Sequence, residues 1–381
     1  MRAPMRIPAA DLRAQHDALR AELTDAFRRV LDTSAFIGGH EVEAFEREFA
    51  AYCGVEHAVG VANGTEALAL ALRALGIGAG DAVVVPAFTF AATAEAVCHV
   101  GARPVLVDID PQTFTLDPAA VQRTLQGDCG PVRAIIPVHL YGRLAAMDEI
   151  AEIARGIGAA VVEDAAQAHG ARCGTRCAGG LGTLGGFSFY PTKNLGALGD
   201  AGAVTTNDAD LAARVALLRD HVQEGKYVHG VLGFNSRLDG LQAAMLRVKL
   251  QRLERWNARR RALAALYRAA LGRVPGITLP TTAPDGEHVY HLFVLRCRDR
   301  DALHAHLAAE GISAGVHYPL PLHLQRAFAG LGYGAGDFPA AEAAAREVLA
   351  LPVYPELSDE AVAAVCAAVC SWASRSGASR W

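Results

Sequence analysis

Leu12, Leu19, Leu23, Phe27 and Val30 recur at helical spacing on one broad face, which predicts a helix over residues 11–31. A loop over 34–40, with Gly38 and Gly39, leads into a second helix over 41–52. Helices and short strands then alternate. Helix 64–75 precedes strand 82–85, helix 93–100 precedes strand 104–108, helix 118–125 precedes strand 134–138, and helix 147–157 precedes strand 160–163. The strands are short, apolar and rich in Val and Ile, the pattern of strands buried on both faces. Such an alternation predicts an α/β fold with a mainly parallel sheet. Ligands of such sheets sit at the carboxyl ends of the strands.

A long helix over 246–270, mixing Arg and Leu, reads as a bridge into a second unit. Beyond it come strand 289–297, helix 300–310, a loop with Pro at 318–321 and a terminal helix from Asp359. The expected organisation is a large domain over 1–250 and a smaller C-terminal α/β domain over 251–381. A chain of 381 residues has room for both cores.

Composition narrows the function. Hydrophobic residues make up 52% and charged residues 20%, as in a packed globular protein. The formal net charge of −4 gives no overall basic field for nucleic acid. Every long apolar run is broken by charge, Gly or Pro, so no membrane span is predicted. The start, MRAPMRIPAADLRAQ, lacks the apolar core of a signal peptide, and the cytoplasm is the expected compartment. Eight scattered Cys fit reduced thiols. Cys366 and Cys370 share one face of a small-residue helix, and Cys173 and Cys177 lie in a Gly-rich loop or hairpin. Neither pair reads as a metal site.

Four segments carry candidate chemistry. Asn63-Gly64-Thr65 opens a helix, and is either a plain cap or a phosphate site built on free N–H groups. Phe88, just past a strand, is either a core residue or a ring that stacks on a planar ligand. Asp164 ends a strand ahead of small residues, as a cap or as the partner of a protonated heterocycle. Lys193 follows the strand-like run Phe187-Ser188-Phe189 into a Gly-rich turn, as a solvated side chain or as an amine made nucleophilic by desolvation. The argument for function rests on their order, each at a strand end of one sheet.

Together the stretches VANGTEALALALRALGIGAGD, PAFTFAATAEAV, VVEDAAQAHGA, FSFYPTKNLGALGD and GFNSRLDGLQAAMLRVKL resemble the DegT/StrS-type aminotransferases, fold-type I enzymes that use pyridoxal phosphate (PLP) on nucleotide-sugars. The resemblance runs from about Ile7 to Leu357. It implies that Lys193 is the Schiff-base lysine, Asp164 the partner of the pyridine nitrogen, and Gln167 a contact to the ring oxygen. Gly64, Thr65 and Ser188 would hold the phosphate and Phe88 would stack on the ring. Asn235 would reach the phosphate from the other subunit of a homodimer with shared sites. Asn63 stands where many relatives carry Ser, and Thr192 where many carry Gly. Neither change removes a required group. KYVHGVLGFNSRLD, HVYHLFVLR and HYPLPLHLQ resemble the enzymes that aminate the 3-position of dTDP-linked 3-keto-6-deoxyhexoses, with L-glutamate as donor. Tyr227, Arg237, His317 and Tyr318 are then the expected substrate contacts, and the loops at Gly38-Gly39 and 318–321 the expected frame of the mouth. The dehydratases of the same superfamily replace the lysine by His, so Lys193 favours amination. A non-catalytic regulator of this fold would need no complete site, and a dinucleotide oxidoreductase would need an early strand-GxGxxG-helix unit.

Overall fold

The alternation closes into one seven-stranded sheet. The computed structural model describes residues 6–225, 227–284 and 286–375. The strands are β1 (His57–Val61), β2 (Ala82–Pro86), β3 (Arg103–Val107), β4 (Val132–Ile135), β5 (Ala160–Asp164), β6 (Leu184–Ser188) and β7 (Gly202–Thr206), in the order β1-β7-β6-β5-β4-β2-β3. Neighbours from β3 to β6 pair in parallel, while β7 runs antiparallel to both β6 and β1. The sheet is therefore mainly parallel. All five positions of β2 and of β7 are buried, which accounts for the unbroken apolar run of β2, while in β7 the Thr205 and Thr206 hydroxyls donate to the Gly179 and Thr183 carbonyls. Helix Gly64–Ala74 packs on β6 and β7, and the Ala and Leu residues that make up seven of its eleven positions are all buried.

A second core lies on a three-stranded antiparallel sheet of β8 (Ile277–Thr278), β9 (Phe293–Cys297) and β10 (Val348–Leu351). Helices Leu253–Leu271, Arg300–Ala309 and Asp359–Arg375 supply its apolar cover. Tyr267 stacks on Phe293 at 4.8 Å between ring centroids, and its hydroxyl donates to the Pro352 carbonyl at 2.8 Å. Leu253 packs in the large-sheet core, whereas Leu263, Tyr267 and Leu271 pack in the small one, so this helix joins the two. The N-terminal segment crosses as well. Ile7 belongs to the small core and bridges to Ile312, rather than staying with the large sheet.

Several elements differ from the sequence expectation. The helix over 11–31 is two, Leu12–Ala18 and Arg20–Thr33, jointed at Leu19, whose N–H closes back on His16. The helix over 246–270 is also two, Gly240–Leu250 and Leu253–Leu271, with Arg252 N–H turned onto the Lys249 carbonyl. The strand over 289–297 begins only at Phe293. Tyr290 adopts φ 45, a left-handed conformation that ends ladder pairing, and the N–H groups of Val289 and Leu292 instead donate to the Gly142 and Tyr141 carbonyls beside the large sheet. Cys173 and Cys177 do lie on a short hairpin, Arg172–Cys173 against Arg176–Cys177. Among the described residues no helix is long and apolar enough to cross a membrane.

Candidate active site

The carboxyl ends of β1, β2, β5 and β6 surround a cleft of about 820 Å³. After β1, Asn63 takes an extended conformation and its side-chain oxygen accepts the Glu66 N–H at 2.9 Å. The N–H groups of Gly64 and Thr65 begin the helix and have no intrahelical acceptor. A side chain on Gly64 is excluded, because a Cβ there would lie 2.6 Å from the Ser188 Cβ. This close approach brings the helix N-terminus and the Thr65 and Ser188 hydroxyls to one wall of the cleft.

Asp164 ends β5 and is buried. Thr93 Oγ1 donates to its Oδ2 at 2.8 Å and the Ala166 N–H to its Oδ1 at 3.2 Å. Burial pushes its carboxyl pKa up, against the Thr93 bond, the Ala166 bond and the charge of Lys193. The acid therefore needs a cation in the cleft to stay ionised with ease. Lys193 sits in the turn after β6, its N–H on the Tyr190 carbonyl at 2.8 Å. Burial lowers its amine pKa to about 8, with Asp164 pulling the other way. A substantial neutral fraction near physiological pH is what a nucleophilic lysine requires.

Gln167 is locked from both ends. Its Oε1 accepts the Tyr141 N–H at 2.7 Å and its Nε2 donates to the Tyr318 hydroxyl at 3.1 Å. The Tyr141 hydroxyl donates to the His317 carbonyl. His317 and Tyr318 thus line the cleft on a scaffold fixed by Gln167 and Tyr141. Burial keeps both in their neutral forms, lowering the imidazole pKa and raising the phenol pKa.

The expected stacking residue is corrected. Phe88 is fully buried in the large-sheet core and does not line the cleft. The chain reverses its facing over two residues, so Phe90, 57% exposed, presents its ring there, 5.8 Å from that of Tyr318. At the mouth, Ala9 and Ala10 line the cleft and Gly38-Gly39 do not. Asn235, Tyr227 and Arg237 also lie off the cleft of their own chain. Asn235 pairs through its backbone with Asp220, Tyr227 is 79% exposed, and Arg237 bonds Asp220 Oδ1 at 2.7 Å. Thr93 and Tyr141 were not foreseen, since their partners are remote in sequence.

Residues 17–370 match the profile of the DegT/DnrJ/EryC1/StrS aminotransferase family. The chain belongs to that family. It is 50% identical over 370 residues to the dTDP-3-amino-3,4,6-trideoxy-alpha-D-glucose transaminase of Streptomyces venezuelae, covering 97% of each chain. The crystal structure of S. venezuelae DesV in complex with a ketimine intermediate superposes with a TM-score of 0.93 at 50% identity, over 97% of this chain and 98% of that one. NtdA from Bacillus subtilis with bound cofactor PMP gives 0.89 at 30% identity, over 98% and 86%. The chain is a PLP-dependent sugar aminotransferase of amino-sugar biosynthesis.

The cleft of this family member fits the cofactor on its own observations. The Gly64–Ser188 approach forms an anion cradle at a helix N-terminus. Asp164 is a buried acid awaiting a cation, and Phe90 offers a ring face. Lys193 is the cleft's lowered-pKa amine.

Proposed function

We propose that Lys193 holds the cofactor covalently between turnovers, that Asp164 keeps the pyridine nitrogen protonated, and that Gly64, Thr65 and Ser188 bind its phosphate. The observation that carries this reading is the convergence of these residues on one cleft from separate strand ends. PLP supplies an electron sink conjugated to the carbon that exchanges its amine. The protein's part is to bind, orient and move protons. Phe90 would cover one ring face. Gln167, its amide fixed by Tyr141 and Tyr318, would orient the edge of the site that takes the ring oxygen. Lys193 Nζ would hold and move the proton exchanged at the reacting carbons.

The acceptor is a dTDP-linked 3-keto-6-deoxyhexose and the donor L-glutamate, used in turn by one cofactor. Likeness to the S. venezuelae transaminase supports this choice, with His317 and Tyr318 as the sugar contacts in the cleft. The check is to load the protein with pyridoxamine phosphate and add 3-keto and 4-keto dTDP-sugars separately. Visible absorption should return faster with the 3-keto sugar. Faster return with the 4-keto sugar would overturn the regiochemistry.

Two chains share the sites, Asn235 of one facing the phosphate held by Ser188 and Thr65 of the other. Support comes from the exposed Val228, Val231 and Leu232 (59%, 64% and 88%) around Asn235, Tyr227 and Arg237, an apolar surface that association would cover. Mixing Lys193→Ala with Asn235→Ala chains should restore about a quarter of wild-type activity at full exchange, since half the dimers are hybrids and each has one intact site. No rescue after proven exchange would show that the sites are not shared.

A further inference from the structure

Thr93 lies in the first turn of helix Ala92–His99, its N–H on the Phe90 carbonyl at 3.2 Å. The turn that presents the Phe90 ring to the cleft therefore also fixes Thr93. A helical threonine commonly bonds its hydroxyl to a carbonyl one turn earlier. The Thr93 hydroxyl goes elsewhere. Its Oγ1 lies 2.8 Å from Asp164 Oδ2 and 3.1 Å from Thr89 Oγ1, and both threonines are buried. Among the described residues Thr93 is the only side chain hydrogen-bonded to this carboxyl, whose other oxygen takes the Ala166 N–H.

The direction of the chain follows from the charge of Asp164. An ionised carboxylate only accepts, and a hydroxyl has one hydrogen to donate. With Asp164 ionised, Thr93 donates to Oδ2, and Thr89 must then donate to Thr93. Two aligned hydroxyl dipoles point their positive ends at the acid, and aligned bonds of this kind strengthen one another. Hydrogen bonds to the charged form favour that form. Burial drives Asp164 toward the neutral acid, and the Thr93 bond is the largest influence against it, ahead of the Ala166 N–H, Lys193 and His139.

A carboxyl facing a pyridine nitrogen shares one proton with it, and the more basic partner keeps that proton. Only the ion pair, with the proton on nitrogen, supplies a charged electron sink. In a buried site the neutral pair competes, because it asks no charge to leave water. A hydroxyl donor on the carboxylate tips this balance toward the ion pair. We propose that Thr93 is a positioning residue for the charge of Asp164: with Thr89 behind it, its donated hydrogen bond keeps the shared proton on the pyridine nitrogen. Thr93 itself does not line the cleft, so it acts through the acid. This rests on Asp164 facing that nitrogen.

The test uses the full-length protein loaded with PLP labelled with ¹⁵N at the ring nitrogen, whose shift separates the protonated from the bare form. Thr93→Val keeps the branched side chain and removes the hydroxyl, while Thr93→Ser keeps the hydroxyl. Thr93→Val should shift the proton balance toward the carboxyl by about tenfold, as expected for one lost bond to a charged group. The signal should move toward the unprotonated value, and Thr93→Ser should stay with wild type. An unmoved signal in Thr93→Val, or an equal move in Thr93→Ser, would overturn the proposal. Thr89→Val leaves the bond to Asp164 in place and should move the signal the same way by less. No move there, or a larger one than in Thr93→Val, would overturn the relay. Asp164→Asn separates this inference from the reading beneath it. That variant should move the signal at least as far as Thr93→Val, and adding Thr93→Val to it should change nothing more. A further move in the double variant would show that Thr93 does not act through the acid. An unmoved signal in Asp164→Asn would overturn both readings, because the acid would not face the nitrogen. A moved signal there with an unmoved one in Thr93→Val would overturn this inference alone.

Discussion

Lys193→Ala should lose turnover by at least about 10³-fold, within the range that positioned proton transfer alone contributes, while still binding the cofactor. The phosphate cradle at Gly64, Thr65 and Ser188 and the acid Asp164 are untouched by the change. The KM for the sugar should move little, because the lost group acts on the reacting atoms. A second consequence runs through stability. The amine's folded-state pKa is about 8, below its ordinary value of 10.5. The folded state therefore binds fewer protons than the unfolded one between these values, and stability rises with pH across that window. Below pH 8 the charged lysine disfavours the fold. Lys193→Met should accordingly raise Tm at pH 7 in the pyridoxamine-loaded protein, with the gain fading as pH climbs through 8 toward 10.5. Equal Tm for the two proteins at pH 7 would contradict the burial argument. The amine that makes the site reactive is held there at a cost to the fold.

Asp164→Asn should keep the fold and lose about 10²-fold or more in turnover, each decade being about 1.4 kcal/mol of barrier. An amide can still accept from Thr93 through its oxygen, so the local packing survives. It cannot hold a positive charge on the pyridine nitrogen, and the electron sink weakens. Burial raises the Asp164 pKa in the cleft as it stands, and a bound pyridinium cation would draw it back down, so the loaded wild-type enzyme should keep its activity through the usual carboxylate range. Near-normal turnover in Asp164→Asn would make the acid a structural residue only.

The parts of the site that sequence discloses are those fixed by one strand end each. Asp164 and Lys193 follow runs whose burial is visible in their composition, and Asn63-Gly64-Thr65 follows a short apolar run into an Ala- and Leu-rich helix. β1 and β7 were harder to see because HAVGV and GAVTT are short and Gly-containing, and tertiary pairing makes them strands. Phe88 and Phe90 occupy neighbouring like positions, and only the direction of the chain after β2 shows that one enters the core and the other the cleft. The break at Tyr290 and the two helix joints arise from contacts with distant segments, which no local periodicity records. The same holds for the bonds of Thr93 to Asp164 and of Asn194 to His291, each spanning more than seventy residues.

The most direct test of the account is to reduce the PLP-loaded protein with borohydride, digest it and locate the pyridoxyl group by mass. The account predicts loss of visible absorption and a single modified peptide, PTKNLGALGD and its flanks, carrying the group on Lys193. Modification at Lys226 or Lys249 with Lys193 left free would contradict it.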